Sequence, residues 1–114
     1  MAPCLFCRIA GGEISADVVF SDEEVVAFRD IHPQAPSHVL IIPRKHIASV
    51  TDLADEDAEL MGRLFTVARD LAREEGIAGD GYRVVVNTGP GAGQSVFHVH
   101  MHLLGGRHLS WPPG

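Results

Sequence analysis

The sequence predicts an α+β domain in which an antiparallel sheet of about five strands carries one long helix and a short N-terminal helix. Three observations lead there. Two short β-branched and aromatic runs, Val18–Phe20 and Val25–Phe28, are split by the polar break Ser21–Glu24, which is the pattern of a hairpin. One long segment, Asp55 to Glu75, has helical period. The remaining strand-like segments are grouped on either side of it, not alternated with helices, which disfavours a doubly wound fold. With 114 residues the chain makes one domain, 1–114, large enough for a single core.

The elements follow in order. Cys4 to Ile9 has mixed periodicity and suits a short helical turn before Gly11-Gly12. After the hairpin, Pro33 and Pro36 break the chain. Ser37 to Pro43 is apolar on both faces, as a strand buried on both sides must be, and proline closes it. In the long helix Leu60, Met61, Leu64, Phe65, Ala68, Leu71 and Ala72 form an apolar stripe, expected to cover the sheet. Asp55, Glu56 and Asp57 suit its positive end, and Gly76 suits the position just past its C-terminus. Tyr82 to Val86 is a further strand, running into the loop Asn87–Ser95 with glycines at 89, 91 and 93. Val96 to Leu104 is expected to be the last strand, ended by Gly105-Gly106. The tail Trp111-Pro-Pro-Gly114 is irregular, because consecutive prolines lack N–H donors.

Nine basic and fifteen acidic side chains leave a net charge of −6, with no basic cluster to meet a polyanion. Nucleic acid and anionic membrane surfaces are therefore poor partners, whereas a single small phosphorylated ligand needs only a few N–H groups. The longest apolar run, Val39–Ile42, is far too short to span a membrane. The start Met-Ala-Pro-Cys has neither a basic nor a long apolar region of a leader, so a cytoplasmic, reducing setting is expected. There the Cys4-x-x-Cys7 pair reads as a metal or redox element.

The chemistry gathers in His98-Val-His100-Met-His102-Leu103. Period-two alternation on a strand would direct the three imidazoles to one face. Histidine can ligate metal, move protons or act as a nucleophile near neutrality. Glycines 89, 91 and 93 let the preceding loop approach an anion closely, with Asn87 and Ser95 as neutral donors at its ends. No lysine follows these glycines, so a Walker A loop is excluded, and no carboxylate lies beyond Gly81 to hold Mg²⁺ locally. The combination suggests phosphorus chemistry run by imidazole.

His98-Val-His-Met-His102 followed by Leu-Leu-Gly-Gly resembles the histidine triad (HIT) superfamily, and specifically its Hint branch of nucleotide-binding proteins. Asn87…Gly-Gln-Ser95, Phe28-Arg-Asp-Ile31…Pro33-Gln-Ala-Pro36…His38 and Trp111-Pro-Pro-Gly114 extend the likeness over nearly the whole chain. The resemblance implies the HIT fold and a purine nucleoside phosphoramidase. It gives His100 the role of a nucleophile that attacks the α-phosphorus of an adenylate, forming a nucleotidyl-histidine that water hydrolyses. His102 would then bind phosphoryl oxygens, Ser95 would donate toward the leaving group, and His98 and His38 would form a supporting row. Asn87, Gly93 and Gln94 would hold phosphate oxygens, and Asp30 the ribose hydroxyls. Phe6, Ile9, Phe28, Ile31 and Leu40 would enclose the base, with Val96 and Trp111 also at the nucleotide site. The ligands implied are AMP, GMP or a phosphoramidate, and the family is homodimeric, its C-terminal tail reaching toward the partner's site. No cofactor is implied for catalysis. Some bacterial HIT-like proteins complete a structural zinc site from such a cysteine pair and two histidines, here His46 and His98 by position; other members lack the cysteines and work without metal. Dinucleoside polyphosphate hydrolysis or nucleotidyl transfer, as in other HIT branches, and a non-catalytic nucleotide- or zinc-binding protein are the alternatives.

Overall fold

In the computed structural model, which describes residues 4–114, the central strand fixes the architecture. The expectation about the chain's first three residues lies outside the described residues. Strand β3 (Ser37–Pro43) is buried along its whole length because both faces are covered. It pairs antiparallel with β2 (Val25–Arg29) on one side and β5 (Met101–Gly105) on the other. β1 (Val18–Ser21) and β4 (Tyr82–Val85) form the edges, giving the order β1-β2-β3-β5-β4 with every pair antiparallel.

Alternation along the strands sorts the side chains into two cores. On one face Val25, Ala27, Val39, Ile41, Met101 and Leu103 meet helix α2 (Ala58–Glu74) through Leu64, Val67, Ala68, Leu71 and Ala72. On the other, Val26, Phe28, Leu40 and Ile42 pack against Phe6 of helix α1 (Leu5–Ala10). Each fully buried aliphatic or aromatic side chain stabilises the fold by about 1.5–3 kcal/mol relative to exposure. α1 covers only part of its face, and the uncovered remainder becomes a cleft.

Three expectations change. Asp55–Asp57 forms a separate 3₁₀ turn before α2 begins at Ala58. Phe65 lies beside the apolar stripe, 57% exposed, and Val67 takes the buried position. The last strand begins at Met101, not at Val96. Continuing the register Ile41↔Met101 upstream would set Pro43, which has no N–H, opposite Val99, and β3 ends there. The segment carrying His98 and His100 is instead held by Val99 N–H donating to the Ile47 carbonyl at 2.6 Å.

Gly76 does end the helix as expected. Its φ of +74° is costless only for glycine, and Ile77 N–H donates to Ala72 O while Gly76 N–H donates to Arg73 O, closing the last turn. Glu75 then clamps this end to the sheet, accepting two bonds from Arg29 (2.6 and 2.9 Å) and one from the Ser37 hydroxyl (2.9 Å). No helix among the described residues is long and apolar enough to cross a membrane.

Candidate active site

A cleft of about 640 Å³ opens between α1, the segment 14–17 and the face of the sheet opposite α2. The sheet register builds its floor: Phe28 pairs with Leu40 and Leu40 with His102, so three strands contribute one row of neighbouring side chains. Phe6 stands edge-on to this floor, its ring centroid 5.5 Å from that of Phe28 and 5.0 Å from His100, nearly perpendicular to the latter. Phe6, Ile9, Phe28, Asp30, Ile31, Leu40, Ser95, Val96, His100 and His102 all line the cleft, Ile31 at its mouth with 85% of its surface exposed.

Hydrogen-bond partners fix the state of each imidazole. His38 Nδ1 accepts from the Gln34 N–H at 3.0 Å, so its proton sits on Nε2. That Nε2–H faces His102 Nδ1 at 2.9 Å, with Asp30 Oδ2 at 3.4 Å. His102 must therefore accept at Nδ1 and carry its own proton on Nε2, as a neutral donor on the cleft side. Burial, reinforced by His100 and His38, holds the His102 imidazolium down to a pKa of about 4. Burial also lowers the pKa of His38, against the pull of Asp30. His100 sits 5.1 Å from His102, ring to ring. Its Nδ1 lies 2.8 Å from the His98 carbonyl, which can only accept; Nδ1 is thus protonated, and the lone pair is left on Nε2.

His98 departs from the expected row. Its ring is fully buried and turned away from His102, 5.1 Å from the ring of His46. Nε2–H donates to the Pro43 carbonyl at 2.7 Å, which leaves Nδ1 as a lone pair. His98 orients the second histidine with its main chain, not its imidazole. The row of rings is His38, His102 and His100.

The His98 lone pair points into the cysteine pair. Cys4 Sγ and Cys7 Sγ are each 3.5 Å from His98 Nδ1, Cys7 Sγ is 3.4 Å from His46 Nδ1, and the two Nδ1 atoms are 3.2 Å apart. Ligands at about 2.3 Å for sulfur and about 2.0–2.1 Å for nitrogen around a tetrahedral ion stand roughly 3.3–3.8 Å from one another. The donor set and its spacing fit zinc. Burial, with the Cys4 thiol beside it, raises the Cys7 pKa, a penalty that a bound cation reverses.

The glycine loop is arranged differently from expectation. Gln94 is buried, and its side-chain amide is spent on the loop itself: Oε1 accepts from Gly89 N–H, and Nε2 donates to the Ala48 and Val96 carbonyls. It braces the loop instead of facing a phosphate, and its own N–H donates to Gly89 O. Gly89 and Gly93, at φ +84° and +88°, make the turn that this bracing requires. Asn87, half-buried, and Gly93, exposed, do not line the cleft, and Trp111 lies in the tail, 82% exposed. His32 and His108 are exposed as well. Leu5, Ile14, Ser15, Ala16, Asp17 and Arg29 also line the cleft. Sequence reasoning missed them because the segment 14–17 has no periodicity and Arg29 is committed to Glu75; Gly11-Gly12 is the only signal that the chain turns back there.

The HIT domain family model matches residues 11–109. The purine nucleoside phosphoramidase of Escherichia coli K12 is 52% identical over 105 residues, 92% of this chain and 88% of that protein. The 14 kDa zinc-binding protein of Zea mays is 49% identical over 115 residues, 99% of this chain and 89% of that protein. The crystal structure of a HIT family hydrolase from Legionella pneumophila matches with a TM-score of 0.97 at 56% identity, covering 98% of this chain and 100% of that one. With its imidazole row seated in a fold shared from end to end with such relatives, the chain belongs to the histidine triad (HIT) family.

Proposed function

We propose that the protein is a nucleotide-binding hydrolase, a purine nucleoside phosphoramidase that releases a nucleoside monophosphate from an amine. The observation that carries this reading is the state of His100: Nδ1–H held by the His98 carbonyl, Nε2 free beside a neutral His102. In this reading the base enters between Phe6, Ile9, Phe28 and Leu40, and Asp30 accepts from the ribose hydroxyls. His100 Nε2 forms a bond to the α-phosphorus as the P–N bond breaks; the Ser95 hydroxyl hydrogen-bonds the departing nitrogen, which leaves as the neutral amine with a proton taken from solvent and given back when water is added in the next step. His102 Nε2–H donates to the phosphoryl oxygens as their charge changes, without itself bringing a full charge into the cleft. Water then attacks the nucleotidyl-histidine, AMP or GMP leaves, and His100 recovers its lone pair.

Cys4, Cys7, His46 and His98 would hold a structural zinc ion, which when bound supplies a cross-link between α1 and the histidine segment. The chemical steps run through imidazole and hydroxyl groups of the chain. The reading includes a homodimer, in which the proline-bound tail with Trp111 lies against the second copy. It also assigns the protein to the cytoplasm, with neither nucleic acid nor membrane as partner.

The direct test is incubation with adenosine 5′-phosphoramidate, following AMP release by chromatography and trapping an adenylylated peptide that contains His100 by denaturing quench and mass spectrometry. AMP release with such an adduct is the expected result. No release of AMP from the folded protein overturns the reading.

A further inference from the structure

We infer that the Cys4–Cys7–His46–His98 cluster anchors one wall of the nucleotide cleft, so that metal occupancy sets nucleotide affinity while leaving the chemical step nearly untouched. The inference rests on the nucleotide and zinc readings above and adds a coupling between the two sites.

α1 supplies that wall through Leu5, Phe6 and Ile9, yet it is only six residues long, too short to hold itself helical in water. Its two ends are secured differently. At the C-terminal end Arg44 donates to the Ala10 carbonyl at 2.6 Å, and Glu13 N–H donates to Arg8 O at 2.9 Å. At the N-terminal end Cys4 is the cap residue and makes no side-chain capping bond. Phe6 packs that end onto the sheet against Val26, Phe28, Leu40 and Ile42, and its polar attachment is the cluster: Cys4 and Cys7 against His98 and His46 at 3.4–3.5 Å. Leu5 and Phe6 lie between the two cysteines. A cation at the cluster therefore fixes the turn that carries the cleft wall. Without one, that attachment is reduced to weak S–H donation from the thiols to the ring nitrogens at 3.4–3.5 Å, and the first turn of α1 is held more loosely.

The nucleophile is insulated from this loss. His98 has two other anchors, Nε2–H on the Pro43 carbonyl at 2.7 Å and the neighbouring Val99 N–H on the Ile47 carbonyl at 2.6 Å. The carbonyl that orients His100 thus stays in position when the metal leaves. Cys4, Cys7 and His46 are positioning residues for binding, acting through α1. The cost of re-forming the wall falls on the nucleotide, whose affinity drops by the fraction of molecules with the wall in position. Linkage requires the effect to be reciprocal: nucleotide must tighten zinc by the same factor.

The test is calorimetric titration of AMP into zinc-loaded and chelator-stripped protein, with zinc titrated in the presence and absence of saturating AMP. We expect AMP to bind about tenfold more weakly to the stripped protein, zinc to bind about tenfold more tightly with AMP present, and KM to rise while kcat stays within about threefold. Circular dichroism of the stripped protein reports whether α2 and the sheet persist. If the stripped chain loses its fold, the variant Cys4→Ala/Cys7→Ala, which removes the opposed thiols, makes the same comparison, and it should bind AMP about tenfold more weakly than the zinc-loaded protein. Equal AMP affinity in folded metal-free and zinc-loaded protein overturns the coupling and leaves the hydrolase reading standing. Failure to bind zinc overturns the coupling too. Failure of AMP to bind either form overturns the nucleotide reading on which it rests.

Discussion

Replacing His100 by alanine removes the imidazole whose Nδ1–H is fixed by the His98 carbonyl, and with it the lone pair that attacks phosphorus. Turnover should fall by several orders of magnitude, because a covalent route has lost its nucleophile. AMP affinity should stay within about tenfold, since the group acts in the transition state more than in the ground state. Steady-state assay and AMP titration of the same preparation check both halves; a variant retaining a tenth of the activity would sink the covalent route. Asp30 offers a subtler substitution. Its Oδ1 accepts from His32 N–H at 2.8 Å, which an asparagine oxygen also does, so Asp30→Asn turns its amide nitrogen toward the cleft side, where Oδ2 now faces His38 Nε2–H. A donor there cannot accept from a ribose hydroxyl. AMP should lose about 1.5–3 kcal/mol of binding and 2′-deoxy-AMP less, as paired titrations would reveal; equal losses would remove the 2′-hydroxyl from the assignment.

Between β5 and the turn after α2 the packing leaves no spare room. A Cβ at Gly105 would come within 2.7–2.9 Å of Ile77 side-chain atoms, against a buried residue whose main chain is fixed by the helix-ending turn. Gly105→Ala should destabilise the fold by about 1–3 kcal/mol, read as a lower urea midpoint with unchanged slope. This element also marks how far the sequence could be read. Alternation in His98–Leu103 gave the right faces for His102, Met101 and Leu103, but it extended the strand over residues that have no partner strand. Periodicity reports which side of an element is buried. Where the ladder stops depends on Pro43, a residue 58 positions from the start of β5, and no local pattern contains that information.

Acidification tests the whole molecule, since burial of neutral histidines is spread over β3, β5 and the segment between loop and strand. The folded pKa of His102 lies near 4, below the unfolded value of about 6.5, so between them the unfolded chain binds the extra proton. Its contribution to stability is fully present above pH ~6.5 and is lost as the pH falls toward about 4. His38 and His98, lowered chiefly by burial, act in the same direction, and a proton on His38 Nδ1 would also break the bond from Gln34 N–H. Urea midpoints should therefore decline from pH 7 to pH 5, a range in which ordinary carboxylates still carry their charge. A flat profile would mean that these imidazoles are not buried in the neutral form.

The sequence by itself determined the α+β class, the two-sided burial of Ser37–Pro43 and the closing glycine of the long helix. Each of these follows from local composition or periodicity, which constrain what a segment must bury. The resemblance of its motifs supplied the candidate roles. Only the tertiary structure decided what each histidine does, because the proton position on an imidazole is set by the group opposite it. Gln34 N–H, the Pro43 carbonyl and the His98 carbonyl make that choice for His38, His98 and His100. Two of these partners come from the sharing histidine's own neighbourhood, but the third, Pro43, arrives from 55 residues away along the chain. Chain separation matters at the cysteine pair too: Cys4 and Cys7 announce a half-site, the resemblance names His46 and His98, and folding brings their Nδ1 atoms within 3.5 Å of a thiol across 39 to 94 residues.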